Sequence, residues 1–115
     1  MKVSRRAALA GGLAALAGCG VGDDGRQTLH FWAMGREGEV LAQIVPEFER
    51  LNPGIRVRIQ QIPWISAHEK LLTAFAGDAT PDLAQLGSSW VPELAALGAI
   101  EPLDARLRGS RVAGA

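Results

Sequence analysis

The sequence has one cysteine, Cys19, no tyrosine, and few aromatic residues of any kind. A lone cysteine has no partner in the chain, so an intramolecular disulfide is excluded. Basic and acidic residues balance at 12 each, and no basic patch is interleaved with aromatic residues. Nucleic acid is therefore not an expected partner. The uncharged run at residues 7–18 is 12 residues long, which is shorter than the roughly 20 that a membrane-spanning helix requires.

The sequence also lacks the patterns that carry catalysis or cofactor binding. Glycine-rich phosphate loops are missing, since Gly11-Gly12 lies inside the amino-terminal apolar run. The two histidines, His30 and His68, have no cysteine or carboxylate pair at a metal-ligand spacing. Serine, histidine and acidic residues occur without a nucleophile elbow. We therefore expect no enzyme activity, no cofactor and no metal.

The first residues have the pattern of an export signal. Lys2, Arg5 and Arg6 precede the apolar run, whose length suits the central region of a signal peptide. The stretch Leu16-Ala17-Gly18-Cys19 that follows resembles the lipobox of bacterial lipoproteins. This resemblance implies that residues 1–18 are removed and that Cys19 is diacylated; an ordinary signal beside a free or buried cysteine is the alternative.

Removal of residues 1–18 leaves 9 basic against 12 acidic residues, a net charge of −3. Ser4-Arg5-Arg6 also resembles a twin-arginine signal, although Ala8 replaces the usual aromatic residue, so both export routes stay open. Residues 19–27 are predicted to be the lipidated cysteine and a flexible tether. We expect the mature protein to be attached to the membrane by its acyl chains, outside the cytoplasm.

Hydrophobic periodicity predicts strands and helices in strict alternation. The strands are expected at residues 28–32, 55–62 and 82–86, and the helices at 38–52, after a capping box at Ser66–Glu69, and at about 90–97. The first helix should bury one face and bend at Pro46, and the second should close at Gly77. This β-α-β-α-β-α order predicts an α/β fold with a parallel, doubly wound sheet. Ligands of such sheets bind at the carboxyl ends of the strands, here residues 32–37, 62–66 and 87–90.

The chain from Phe31 to Asp104 resembles the extracellular solute-binding proteins of sugar-type ABC importers, the group that includes maltose-binding proteins. The matching segments, in unbroken order, are Phe31-Trp32, 46–49, 52–57, 70–77, 80–86, 90–94 and 96–104. The resemblance implies a periplasmic-binding-protein fold of type II. Since family members are much longer, residues 28–104 are expected to be part of the amino-terminal lobe, the second lobe to be absent and residues 105–115 to be a truncated tail.

The function implied by the resemblance is that of a lipid-anchored substrate-binding subunit, which binds a sugar or related solute and delivers it to the permease subunits. Two alternatives stay open. The chain could belong to a secreted hydrolase whose catalytic residues lie elsewhere, or to a lipoprotein sensor that binds a solute and signals instead of feeding transport.

Aromatic rings stack on the apolar faces of sugars, and planar polar groups bind their hydroxyls. Trp32, Trp64 and Trp90 lie at or just after predicted strand ends, where they are candidate ligand contacts or simply core residues. By the same resemblance Glu37 is a candidate acceptor for a sugar hydroxyl, although it could instead complement the helix dipole. Arg36 could share that site or be solvated.

The serines that follow the second and third predicted strands complete the candidate set. Ser66 is either a ligand contact or only a helix cap. Some relatives carry an acid after the third strand, where this sequence has Gly87. Ser88 and Ser89 are therefore the candidate donors at that position, with capping as their alternative role.

Overall fold

A computed structural model describes residues 24–114 of the chain. The predictions for the export signal, for Cys19 and for the first part of the tether lie outside this range. The elements in chain order are β1 (Gln27–Met34), α1 (Glu37–Leu51), β2 (Ile55–Ile62), α2 (Trp64–Ala76), β3 (Leu83–Ala84), α3 (Val91–Ala96) and α4 (Asp104–Leu107), with short 3₁₀ helices at Ser88–Trp90 and Arg111–Gly114.

The three strands form one parallel sheet in the order β2-β1-β3. Each residue of β1 pairs with a residue of β2, from Gln27 opposite Ile55 to Met34 opposite Ile62. Successive side chains of a strand point to opposite faces, so Met34 and Ile62 share one face and Gln61 lies on the other. Helix α2 covers the first face and α1 the second. This arrangement confirms the predicted parallel α/β fold.

The core lies between the sheet and α2. Met34 and Ile62 from the strands pack against Ala67 and Leu71 from the helix, and all four are buried. Strand β1 continues two residues beyond the predicted end at Trp32, because Ala33 and Met34 are fully buried. Burial of a large apolar side chain stabilises the fold by about 1.5–3 kcal/mol, so Met34 stabilises this end of β1.

Strand β3 is shorter than predicted, but side chains extend its pairing with β1. The Asp82 carboxylate accepts a hydrogen bond from the His30 N–H at 2.8 Å. At the other end the Gln85 side-chain oxygen accepts one from the Met34 N–H at 3.0 Å, and the Gln85 N–H donates to the Trp32 carbonyl. These side chains satisfy backbone groups of β1 that the two-residue strand cannot reach.

Helix α1 continues through Pro46, which removes one helical hydrogen bond but does not end the helix. Its packing differs from the prediction of a single buried apolar face. Four of the predicted face residues are exposed, with relative accessibilities of 42–63%: Val40, Ile44, Phe48 and Leu51. Leu41 and Val45 are half-buried. A three-stranded sheet covers only part of the helix, which leaves the neighbouring apolar stripe uncovered.

Helix α2 begins at Trp64, directly after Pro63, which is the N-cap. The predicted capping box at Ser66 and Glu69 is therefore wrong. Ser66 lies within the first turn, and its hydroxyl donates to the Pro63 carbonyl at 3.2 Å. The helix ends at Gly77 as expected, but the left-handed residue that follows is Asp78, with φ of 52°.

The amino edge of the sheet carries an ion network that holds the residues before β1. The Asp24 carboxylate lies 2.6 Å from the Arg26 guanidinium and 2.5 Å from that of Arg56 on β2. Arg26 also lies 3.6 Å from Glu49 on α1, which accepts a hydrogen bond from the Val57 N–H. The hydrogen bond from Arg26, with the positive charge of both arginines, lowers the pKa of Asp24 from its usual value.

Candidate functional site

The loops after β1 and β2 meet at Gly35, at the carboxyl edge of the sheet. The Gly35 N–H donates to the Ile62 carbonyl at 2.8 Å, and φ at this residue is +60°. A Cβ placed here would lie 2.7 Å from Cδ1 of Trp64 and 3.1 Å from Oε2 of Glu37. The indole and the carboxylate therefore approach the same backbone atom, which only glycine allows.

A second tryptophan, Trp90 in the loop after β3, packs against Trp64. The ring centroids of Trp64 and Trp90 are 5.7 Å apart, and the ring planes are tilted by 56°. Trp90 also lies against the backbone of Gly87, where a Cβ would be 3.0 Å from the indole. Trp64 is 40% exposed and Trp90 is half-buried. We call Glu37, Trp64 and Trp90 the aromatic corner. Of its two indole rings, that of Trp64 is the more exposed.

Two residues that the sequence analysis did not select extend the aromatic corner. The His68 ring stacks on Trp90 with centroids 5.1 Å apart and a tilt of 38°. Its Nε2 atom lies 2.6 Å from Oε2 of Glu93 on α3. A sequence signal existed, since His68 follows Trp64 by four residues on α2 and Glu93 follows Trp90 by three. Pairs at these spacings lie on the same side of a helix.

The polar residues predicted around this edge have different surroundings. Arg36 is 93% exposed at its side chain and lies 3.9 Å from Glu39, as expected of a solvated residue. Glu37 and Glu39 form the acidic first turn of α1, where they complement the helix dipole. Ser88 and Ser89 are exposed in the 3₁₀ turn, and α3 begins only after Trp90. Neither serine is therefore the N-cap of α3, which was their alternative role.

Trp32 and Ser66 come together at a different place. The predicted position of Trp32 at the end of β1 is wrong, because the strand continues to Met34. The Lys70 ammonium lies 5.0 Å from the centre of the Trp32 ring, an arrangement typical of a cation–π contact. Trp32 and Ser66 line a shallow cavity of about 470 Å³ beside α2, together with Glu69, Lys70 and Thr73. The predicted contacts thus divide into the aromatic corner and this cavity.

A larger apolar groove of about 910 Å³ lies between α2, β3, α3 and the segment 99–106. It includes Leu71, Phe75 and Leu94, and none of the predicted ligand contacts lines it. Polar side chains near an indole occur instead at the aromatic corner and in the cavity beside α2.

Two further properties concern the residues that the structure describes. Between residues 24 and 114, no group of three or more histidine, cysteine or acidic side chains is arranged to hold a metal ion. Across the same part of the chain, no helix has the length and apolar character that a membrane crossing requires.

Known proteins resemble this chain over most of its length. The profile of the bacterial extracellular solute-binding proteins matches residues 33–114. A Brucella abortus protein with the name "putative binding protein" is 31% identical over 101 residues, which are 86% of this chain and 24% of that protein. An uncharacterized lipoprotein of Streptomyces antibioticus is 33% identical over 105 residues, which are 87% of this chain and 23% of that protein.

Two solved structures share the fold. The sugar-binding protein MalE from Xanthomonas citri is 52% identical with a TM-score of 0.70, over 74% of this chain and 22% of that one. An ABC substrate-binding protein from Listeria monocytogenes, in complex with cycloalternan, is 27% identical with a TM-score of 0.66, over 73% and 22%. The chain thus spans about a quarter of the length of the proteins it matches. It belongs to the family of bacterial extracellular solute-binding proteins.

Proposed function

We propose that this chain serves as part of the substrate-binding component of an ABC importer and that its aromatic corner binds a carbohydrate. The observation that carries the proposal is that the Glu37 carboxylate and the Trp64 indole both lie beside Gly35 at the carboxyl edge of the sheet. An indole face suits the apolar side of a sugar ring, and a carboxylate accepts hydrogen bonds from its hydroxyls. Binding at this site is stoichiometric and involves no chemical conversion.

The sugar class is supported by two relatives. The protein from Xanthomonas citri is named for sugar binding, and the one from Listeria monocytogenes is in complex with cycloalternan. Of the other predicted contacts, Arg36, Ser88 and Ser89 lie on exposed loops at the same edge and are proposed as contacts at its margin. Trp32 and Ser66 are proposed to contact the ligand only where it extends toward the cavity beside α2.

The affinity of the aromatic corner follows from its two main contacts. If stacking on Trp64 contributes as much as an aromatic pair, it supplies about 0.5–1.5 kcal/mol. A hydrogen bond to the charged Glu37 supplies about 1.5–3 kcal/mol. Together they correspond to dissociation constants of about 0.5–35 mM, so the assay must detect weak binding.

Ligand-observed NMR with maltotriose and cycloalternan tests the proposal. We expect saturation transfer from the full chain to at least one of the two sugars and its loss in Trp64→Ala. Phe48→Ala is the matched control, because Phe48 is an exposed aromatic residue on α1 with 42% accessibility. Transfer that persists in Trp64→Ala, or its absence from the unaltered chain with both sugars, would contradict the proposal.

We further propose that Cys19 is acylated after removal of residues 1–18. The segment between Cys19 and the ion-paired Asp24 then tethers the folded part, whose first strand begins at Gln27, to the membrane beside its permease. The relative from Streptomyces antibioticus is named a lipoprotein, which supports the anchor. Expression in bacteria fed an alkyne fatty acid should label the chain and place it in the membrane fraction. Cys19→Ser should abolish both results; labelling that survives the substitution would exclude this anchor.

A further inference from the structure

The His68 and Glu93 side chains link α2 to α3 across the aromatic corner. His68 lies on the second turn of α2, and Glu93 lies on the first turn of α3, 25 residues away in the sequence. An ionised carboxylate accepts hydrogen bonds and donates none, so the histidine tautomer that pairs with ionised Glu93, 2.6 Å away, has its proton on Nε2. Both side chains are partly exposed, and the hydrogen bond favours one orientation of the histidine ring.

The histidine ring packs against Trp90. His68 contacts one side of the indole with centroids 5.1 Å apart, and the backbone of Gly87 packs closely against the same indole. Trp90 in turn packs against Trp64, with centroids 5.7 Å apart. The contacts therefore form a chain from Glu93 through His68 and Trp90 to the open ring of Trp64.

From this geometry we infer that His68 and Glu93 are positioning residues, which set the tilt of the two indoles and thereby the sugar selectivity of the aromatic corner. This inference rests on the proposed function. His68 acts through Trp90 and does not touch the ligand. Without it the Trp90 ring gains rotamer freedom, and Trp64 loses the neighbour that holds its face at 56°.

The first test needs no ligand. Two indoles held at a fixed tilt give an exciton couplet in the circular dichroism spectrum, and the couplet collapses when the tilt becomes variable. We expect His68→Ala to reduce the couplet at least twofold. His68→Gln should restore most of it, because the glutamine amide can donate to Glu93 and its flat group can lie on Trp90. His30→Ala is the matched control, since it removes the other histidine, which is exposed on β1.

The second test measures affinity for maltotriose and for cycloalternan by NMR titration. His68→Ala should weaken binding of the preferred sugar about threefold to tenfold, the range expected from loss of one aromatic contact. It should also reduce the difference in affinity between the two sugars. Glu93→Gln should have a smaller effect in the same direction, because its amide oxygen still accepts the hydrogen bond. This variant also serves where His68→Ala fails to fold.

The circular dichroism and titration experiments distinguish failure of the positioning role from failure of the proposed function. A couplet unchanged in a folded His68→Ala chain, or a glutamine variant as impaired as the alanine variant, would overturn the positioning role whether or not sugar binds. If the unaltered chain shows the couplet but binds neither sugar, the proposed function fails and the couplet still decides whether His68 holds the indoles.

Discussion

The exchange of Gly35 for alanine probes the closest contacts of the aromatic corner. Gly35 adopts φ of +60°, and an added Cβ would lie 2.7 Å from Cδ1 and 2.9 Å from Nε1 of Trp64. The left-handed backbone costs a residue with a side chain about 1–2 kcal/mol. Displacement of the packed indole adds about 1–3 kcal/mol. Gly35→Ala should therefore lower the free energy of unfolding by about 2–5 kcal/mol.

Gly98 provides a matched control, since it has φ of +72° and nothing within 4 Å of an added Cβ. Gly98→Ala should show the backbone cost alone, about 1–2 kcal/mol. Urea unfolding followed by circular dichroism measures both losses, and tryptophan fluorescence reports the displacement of Trp64. Equal losses in the two variants, with an unchanged fluorescence spectrum for Gly35→Ala, would refute the close approach of the indole to Gly35.

Other substitutions test the ion network, the core and the short third strand by urea unfolding. The hydrogen bond from Arg26 lowers the pKa of Asp24. Its stabilisation is therefore present above the unfolded value of about 3.9 and is lost as the pH falls through the lower folded pKa. Asp24→Asn should be less stable than the unaltered chain at neutral pH and equal to it in strong acid; a constant difference would exclude the linkage. Met34→Ala should cost about 2–5 kcal/mol, whereas Val40→Ala, which is 59% exposed, should stay within about 0.5 kcal/mol; similar losses would contradict the location of the core. Gln85→Leu leaves the Met34 N–H without its acceptor and should cost about 1–3 kcal/mol; a neutral result would show that the hydrogen bond is dispensable.

Much of the fold was predictable because local patterns agree with it. The alternation of apolar and polar residues located β2 at residues 55–62, as the structure has it. The helix stop at Gly77 was also visible in the sequence. Since helices separate the strands, parallel pairing followed from topology rather than from any contact between particular residues.

The predictions that were wrong concern features that depend on distant parts of the chain. Periodicity showed that α1 is amphipathic, but it could not show that the sheet is too narrow to cover Val40 and Ile44. Strand β1 was predicted to end at Trp32, two residues too early. The sequence alone does not show that α2 buries Met34. Helical spacing places His68 near Trp64 and Glu93 near Trp90, but the contact between His68 and Glu93 joins separate helices and depends on how those helices pack.

The indole N–H groups allow the proposed ligand site to be located directly. The chain has three tryptophans, and NMR of the isotope-labelled chain can follow each indole signal during a titration with maltotriose and then with cycloalternan. If the aromatic corner binds the sugar, the Trp64 and Trp90 signals shift together with one saturation curve, while Trp32 beneath Lys70 shifts less. A shift confined to Trp32, or no shift in any of the three with either sugar, would contradict the placement of the ligand at Glu37, Trp64 and Trp90.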